Sequence, residues 1–157
     1  MVRVSEWRRG SACISTDERR LQIEVVHGYL ARSYWAKNIP REIVERSIEN
    51  SLCFGIYEAP DAERPPERQV GFARVITDFA TFAYVADVFV LEEARGKGLA
   101  QWLMEVIAGH PELQGLRRWT LATRDAHALY RKTGFAPLAS PADFMERRRS
   151  AADVYGA

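Results

Sequence analysis

From Ala83 to Gly109 the chain reads AYVADVFVLEEARGKGLAQWLMEVIAG, which forces a strand, a glycine loop and a helix into immediate succession. The apolar run up to Val90 reads as a strand. After the loop, Leu99, Trp102, Leu103, Val106 and Ile107 recur at the spacing of one helix face. Between the two lies Arg95-Gly96-Lys97-Gly98-Leu99-Ala100, whose glycines let the backbone turn tightly and approach a ligand closely. A helix start has N–H groups without intrahelical partners and the positive end of the helix dipole, so the loop suits a phosphate or diphosphate.

Two familiar nucleotide loops are absent: neither Gly-x4-Gly-Lys-Ser/Thr nor Gly-x-Gly-x-x-Gly occurs. The segment instead resembles motif A of the GNAT superfamily of N-acetyltransferases, whose Arg/Gln-x-x-Gly-x-Gly/Ala is matched by Arg95, Gly98 and Ala100. Further on, Trp119 to Thr123 reads as a short strand. The following DAHALYRKTGF resembles that family's motif B, with Tyr130, Gly134 and Phe135 in order. The resemblance extends from Ala12 to about Arg147.

Length and composition fit a single domain spanning 1–157, with 1–11 and 148–157 as flexible ends. The resemblance implies an α/β (α+β) fold with a mixed, mostly antiparallel sheet of six to seven strands flanked by about four helices. Residue patterns place a strand at Ala12 to Ser15, a helix from Asp17 to about Arg32 and a second helix from near Pro40. Strands follow at Leu52 to Tyr57, Gln69 to Thr77 and Thr81 to Val90, the first two separated by the solvent loop APDAERPPER. A crossover through the Leu99 helix makes the Trp119 strand parallel to its predecessor. Gly134 ends the next helix, and Phe135 to about Arg147 supplies one or two short closing strands.

Charge excludes little but points away from polyanions. Lys and Arg total 22 against 21 for Asp and Glu, so no net field draws the chain to nucleic acid or a membrane surface. Arg147, Arg148 and Arg149 read as part of a fraying tail. Cys13 and Cys53 lack metal or redox spacing and read as free buried thiols, and no metal is expected. The N-terminal MVRVSEWRRGS has no signal-peptide core, and no run has the length of a membrane span, so a cytoplasmic location is expected. A homodimer is left open, with no interface named.

The remaining expectations are what the resemblance implies. Acetyl-coenzyme A, as co-substrate, lies beside the strand ending at Val90. Backbone groups of Val88, Phe89 and Val90 pair with pantetheine amides, and N–H groups of Arg95, Gly96, Lys97, Gly98, Leu99 and Ala100 hold the diphosphate. Arg95 and Lys97 add positive charge, against which Glu92 and Glu93 would work unless turned away. Tyr130 is the acid beside the sulfur. Asp87, a carboxylate amid apolar neighbours, is either a general base or a structural hydrogen-bond partner near a bulge. Thr123 stands where many relatives carry asparagine. Tyr34, Trp35 and Phe79 offer aromatic surface for the acceptor. His110 and His127 read as structural or surface residues.

The activity so implied is transfer of acetyl to a primary amine of a small molecule, by direct attack in a ternary complex. The alternatives are a peptide or protein amine as acceptor, or a non-catalytic acyl-coenzyme A sensor.

Overall fold

Among the described residues six strands form one sheet in the order in which the chain makes them: β1 (Glu6–Arg9), β2 (Ala12–Ser15), β3 (Leu52–Glu58), β4 (Arg68–Thr77), β5 (Phe82–Val90) and β6 (Arg118–Leu121). The computed structural model describes residues 2–59 and 67–157, so the solvent-loop expectation for 60–66 lies outside the described residues. All neighbouring pairs are antiparallel except β5 and β6, which run parallel because the chain crosses over between them. Among the described residues five α-helices complete the fold: α1 (Ile23–Leu30), α2 (Arg41–Glu49), α3 (Leu99–Ala108), α4 (His127–Arg131) and α5 (Ala151–Tyr155).

The sheet has an apolar cluster on each face. On one side α3 packs Leu99, Leu103 and Ile107 with Ile14, Phe54, Ile56 and Val85. On the other, Val26 and Leu30 of α1 and Val44 and Ile48 of α2 meet Cys53, Phe72 and Phe89. Neighbours Cys53 and Phe54 serve opposite clusters, as strand alternation requires. In α3, six of ten residues are buried, each side chain contributing about 1.5 to 3 kcal/mol. That burial anchors the loop leading into the helix.

Four expectations need correction. Within the lead expected to be flexible, Glu6–Arg9 is ordered as β1, which pairs with β2 from Glu6↔Ser15 to Arg9↔Ala12. At the other end, Ser150 and Asp153 form a reciprocal cap that starts α5, and Asn38 Nδ2 donates to the Gly156 carbonyl at 3.2 Å. The closing strands do not form: after Phe135 the chain makes only a single-turn 3-10 helix at Pro141–Asp143 before α5. Pro137 and Pro141 lack N–H groups, so a strand through them would lose ladder donors. The first helix is also shorter than expected. A 3-10 turn (Glu18–Arg20) precedes α1, and between them Gln22 and Gln69 exchange backbone-to-side-chain hydrogen bonds of 2.7 and 3.2 Å, holding Gln22 extended.

Candidate active site

The glycine loop is a row of unsatisfied donors. Gly96 and Gly98 have φ values of 82° and 74°, and Gly98 is the left-handed cap of α3. Among the described residues, no carbonyl or side chain accepts from the N–H groups of Gly96 through Gln101; the next, Trp102 N–H, bonds to Gly98 O at 3.0 Å. In a folded protein, such groups are normally paired or reserved for water or a ligand. A Cβ built on Gly98 would meet only Arg9 Nη2 at 3.7 Å, so the space beside this glycine is open.

The charges around this loop are more committed than the sequence implies. Lys97 Nζ bonds both oxygens of Glu58 at 3.1 and 3.2 Å. Arg95 Nε donates to the Val90 carbonyl at 3.0 Å and its Nη2 to the Tyr29 hydroxyl at 3.0 Å. Glu92 is paired with Arg32, whose hydrogen bond holds its carboxyl at about 2, and Glu93 is paired with Arg68. Both acidic residues therefore carry their own countercharge.

Beyond the loop the sheet opens. Pairing of β5 with β6 runs only from Phe82↔Arg118 to Val85↔Leu121, leaving Ala86 to Val90 with no strand on that side among the described residues. Within this open stretch β5 carries one extra residue: Phe72 faces Phe89 while Arg74 faces Ala86. The bulge is at Asp87, whose φ is 55°, a left-handed conformation uncommon outside glycine but several-fold enriched for Asp and Asn. Its side chain is fully engaged: Arg74 Nε donates to Oδ2 at 2.8 Å and Trp35 Nε1 donates to Oδ1 at 2.9 Å. The Arg74 and Asp87 side chains are 17% and 11% exposed, so the pair is shielded from water.

Tyr34 extends this network across the cleft. Its hydroxyl accepts from Arg124 N–H at 3.1 Å, and the Arg124 guanidinium lies 3.9 Å from the ring centre. Tyr34 packs edge-on against Trp35 with centroids 5.0 Å apart, and Tyr29 stacks on Phe89 at 4.0 Å. The linker between α1 and α2 is thus tied both to β5 and to the turn after β6. Phe79 is not brought to this group. It sits in the β4–β5 turn, and five strand steps of about 3.3 Å separate Phe82 from Asp87.

Tyr130, on α4, is 9% exposed, and burial, with smaller contributions from Tyr34 and Asp125, pushes its phenol up to about 12. No hydrogen bond to its hydroxyl forms among the described residues. Thr123 Oγ1 accepts from Ala126 N–H at 3.1 Å and helps start α4. A cavity of about 280 Å³ runs along β6 and α4 and includes Thr123 and Tyr130 in its wall. His110 is buried between Trp7 and Phe54 and accepts from Glu112 N–H, while His127 is exposed on α4. Both thiols are free and buried, and burial pushes Cys53 up to about 12. Among the described residues there is no group of three or more metal-ligating side chains, and no helix is long and apolar enough to cross a membrane.

Sequence reasoning missed Arg9, Arg74 and Arg124, and took Tyr29 only as aromatic surface, not as the partner of Arg95. Each lies far along the chain from its partner, and none belongs to a local motif.

A sequence model for the acetyltransferase (GNAT) domain matches residues 49–137, more than half of the chain. A candidate acetyltransferase from Gibberella zeae is 32% identical, covering 84% of this chain and 82% of its own. The crystal structure of a candidate acetyltransferase of the GNAT family from Xanthomonas campestris superposes with a TM-score of 0.82 at 48% identity, over 89% of this chain and 94% of that one. A Clostridium acetobutylicum protein, crystallised with acetyl-coenzyme A, shares the fold at a TM-score of 0.56 and 13% identity, over 80% and 86% of the two chains. Motif, fold and relatives agree: the chain belongs to the GNAT family and is an N-acetyltransferase by class.

Proposed function

We propose that this enzyme takes the acetyl group of acetyl-coenzyme A and transfers it to a primary amine of a small molecule, both being bound at once. The observation that carries the reading is the run of six N–H groups, Gly96 to Gln101, left without acceptors beside the open edge of β5. The fit is chemical as well as spatial: a diphosphate needs several donors in one concave turn, and a pantetheine arm needs unpaired strand backbone next to it. When bound, acetyl-coenzyme A supplies the thioester carbonyl and its thiolate leaving group.

The residues of this chain then divide the work. Val88 N–H, re-aimed by the bulge at Asp87, holds the negative charge that grows on the thioester oxygen. Asp87 keeps that bulge in place through Arg74 and Trp35, and with both oxygens so engaged, the amine proton leaves through water rather than to this carboxylate. Tyr130 donates a proton to the departing sulfur. Its phenol, ordinarily near 10 and here near 12, remains protonated throughout the neutral range. Cys13 and Cys53, buried and outside the cleft, take no part, so the transfer is direct.

The Tyr34–Arg124 bridge favours a small acceptor over a protein chain, because it spans the side of the cleft where an extended peptide would need an open groove. Two measurements test the reading. Calorimetric titration with acetyl-coenzyme A gives a saturable complex that Gly98→Val weakens at least tenfold, since a β-branched residue at φ 74° strains the turn by about 1 to 3 kcal/mol. Thiol release is then followed against small amines and peptides. Absence of donor binding removes the enzymatic reading, and release with peptides alone removes the small-molecule acceptor.

A further inference from the structure

Arg9, the last residue of β1, reaches across to the glycine loop on which the proposed function rests. Its Nη2 donates to the carbonyl oxygens of Lys97 at 3.4 Å and Gly98 at 3.3 Å, and its guanidinium carbon lies 4.7 Å from the centre of the Trp102 ring. Among the described residues no carboxylate pairs with it; the neighbouring Arg8, by contrast, is matched with Glu6 and Glu67. An unpaired guanidinium is therefore held against the back of the anion loop by two carbonyls and an aromatic face.

We propose that Arg9 is a positioning residue for the donor's diphosphate, acting through the two peptide groups it binds. In a trans peptide, C=O and N–H point in opposite directions. Fixing the Lys97 and Gly98 carbonyls toward Arg9 turns the N–H groups of Gly98 and Leu99 away from it, into the open turn. A cation at the carbonyl end also polarises both peptides and strengthens their N–H groups as donors. Arg9 thus recruits negative phosphate without touching it. Stacking on Trp102, which is buried in α3, keeps the guanidinium at the loop rather than in solvent. The β1–β2 hairpin, which lies outside both sequence motifs, thereby becomes part of the donor site.

The test compares ligands with and without the diphosphate. Coenzyme A and pantetheine are titrated calorimetrically into the wild-type protein, R9Q and R9K, with thermal melts confirming that each variant is folded. Glutamine can still donate to a carbonyl but carries no charge, so R9Q is expected to weaken coenzyme A about tenfold and leave pantetheine unchanged. R9K, charged but without the planar fork, falls between. Equal weakening of both ligands would mean a general effect on the hairpin and would overturn the proposal, as would unchanged coenzyme A affinity in a folded R9Q. Failure of the wild type to bind coenzyme A at all would instead strike the reading of the site itself, so the two failures are distinct.

Discussion

The two ends of the cleft are built from different materials. At the proposed donor end the useful groups belong to the main chain: six consecutive N–H groups are unpaired among the described residues, and the side chains of Arg95 and Lys97 are turned to Val90, Tyr29 and Glu58. At the proposed acceptor end the useful groups are side chains already engaged, Arg74 and Trp35 with Asp87, and the Tyr34 hydroxyl with the main-chain N–H of Arg124. A backbone cradle tolerates changes in side-chain identity as long as φ and openness are kept. The shielded Arg74–Asp87 pair does not, because removing one member leaves the other largely buried without its countercharge.

Removal of the hydroxyl of Tyr130, the proposed acid, gives the largest expected effect. Tyr130→Phe keeps the ring packed against Phe135 and deletes only the hydroxyl. We expect kcat to fall about a hundredfold, the scale of a single proton donor, with KM for the donor changed less than twofold. Steady-state kinetics decide the matter: equal loss in kcat and in donor affinity would make Tyr130 part of the cradle. The pH profile carries an independent sign. A group whose folded pKa is raised favours folding below its unfolded value and loses that contribution as pH rises. Tyr130 therefore stabilises the fold below about pH 10 and loses that effect between 10 and 12. The proposed acid role likewise requires a protonated phenol, which this shift secures across the neutral range.

The same contrast explains how much could be read before the structure. The loop, the crossover and the parallel β6 were legible because they rest on local rules: glycine at positive φ, helical spacing in Leu99 to Ile107, and the handedness of the connection. Tyr130 is singled out in the sequence by its place in a motif, and the structure adds its burial on α4. Asp87 was legible as an anomaly, a carboxylate in an apolar strand, but its partners were not: Arg74 is 13 positions away and Trp35 is 52. Arg9, 88 and 89 positions from the carbonyls it binds, left no local trace at all. The break before α1 was hidden for the same reason, since buried Gln69 lies 47 positions from Gln22.

Asp87→Asn probes the interlocked end. Asparagine tolerates positive φ, so the backbone is spared and the change falls on the pairing. One amide oxygen can still accept from Trp35, but the NH2 then faces Arg74, donor against donor, and a guanidinium 17% exposed loses its countercharge. We expect a loss of about 2 to 3 kcal/mol in stability, about 5 to 10 °C in Tm for a chain of this size. The turnover defect should exceed any change in donor Kd. Should donor Kd instead rise in step with the loss of turnover, the bulge and the glycine loop would form one unit, and the division between the two ends would fail.

The smallest effect is expected at the residue that looks most like a phosphate ligand. Lys97 lies between two glycines that build the cradle, yet its ammonium is drawn to Glu58, whose side chain is 19% exposed, and only its peptide groups serve the loop. Its carbonyl accepts from Arg9, and its N–H is among the unpaired six. Lys97→Ala keeps both. The lost charge acts on the diphosphate only at a distance, through water and salt with a screening length of about 8 Å at physiological ionic strength. Donor Kd should therefore change less than twofold and show no altered salt dependence. A tenfold, salt-sensitive loss would mean that the ammonium leaves Glu58 for the phosphates when the donor arrives, and that the cradle is built from charge as much as from peptide.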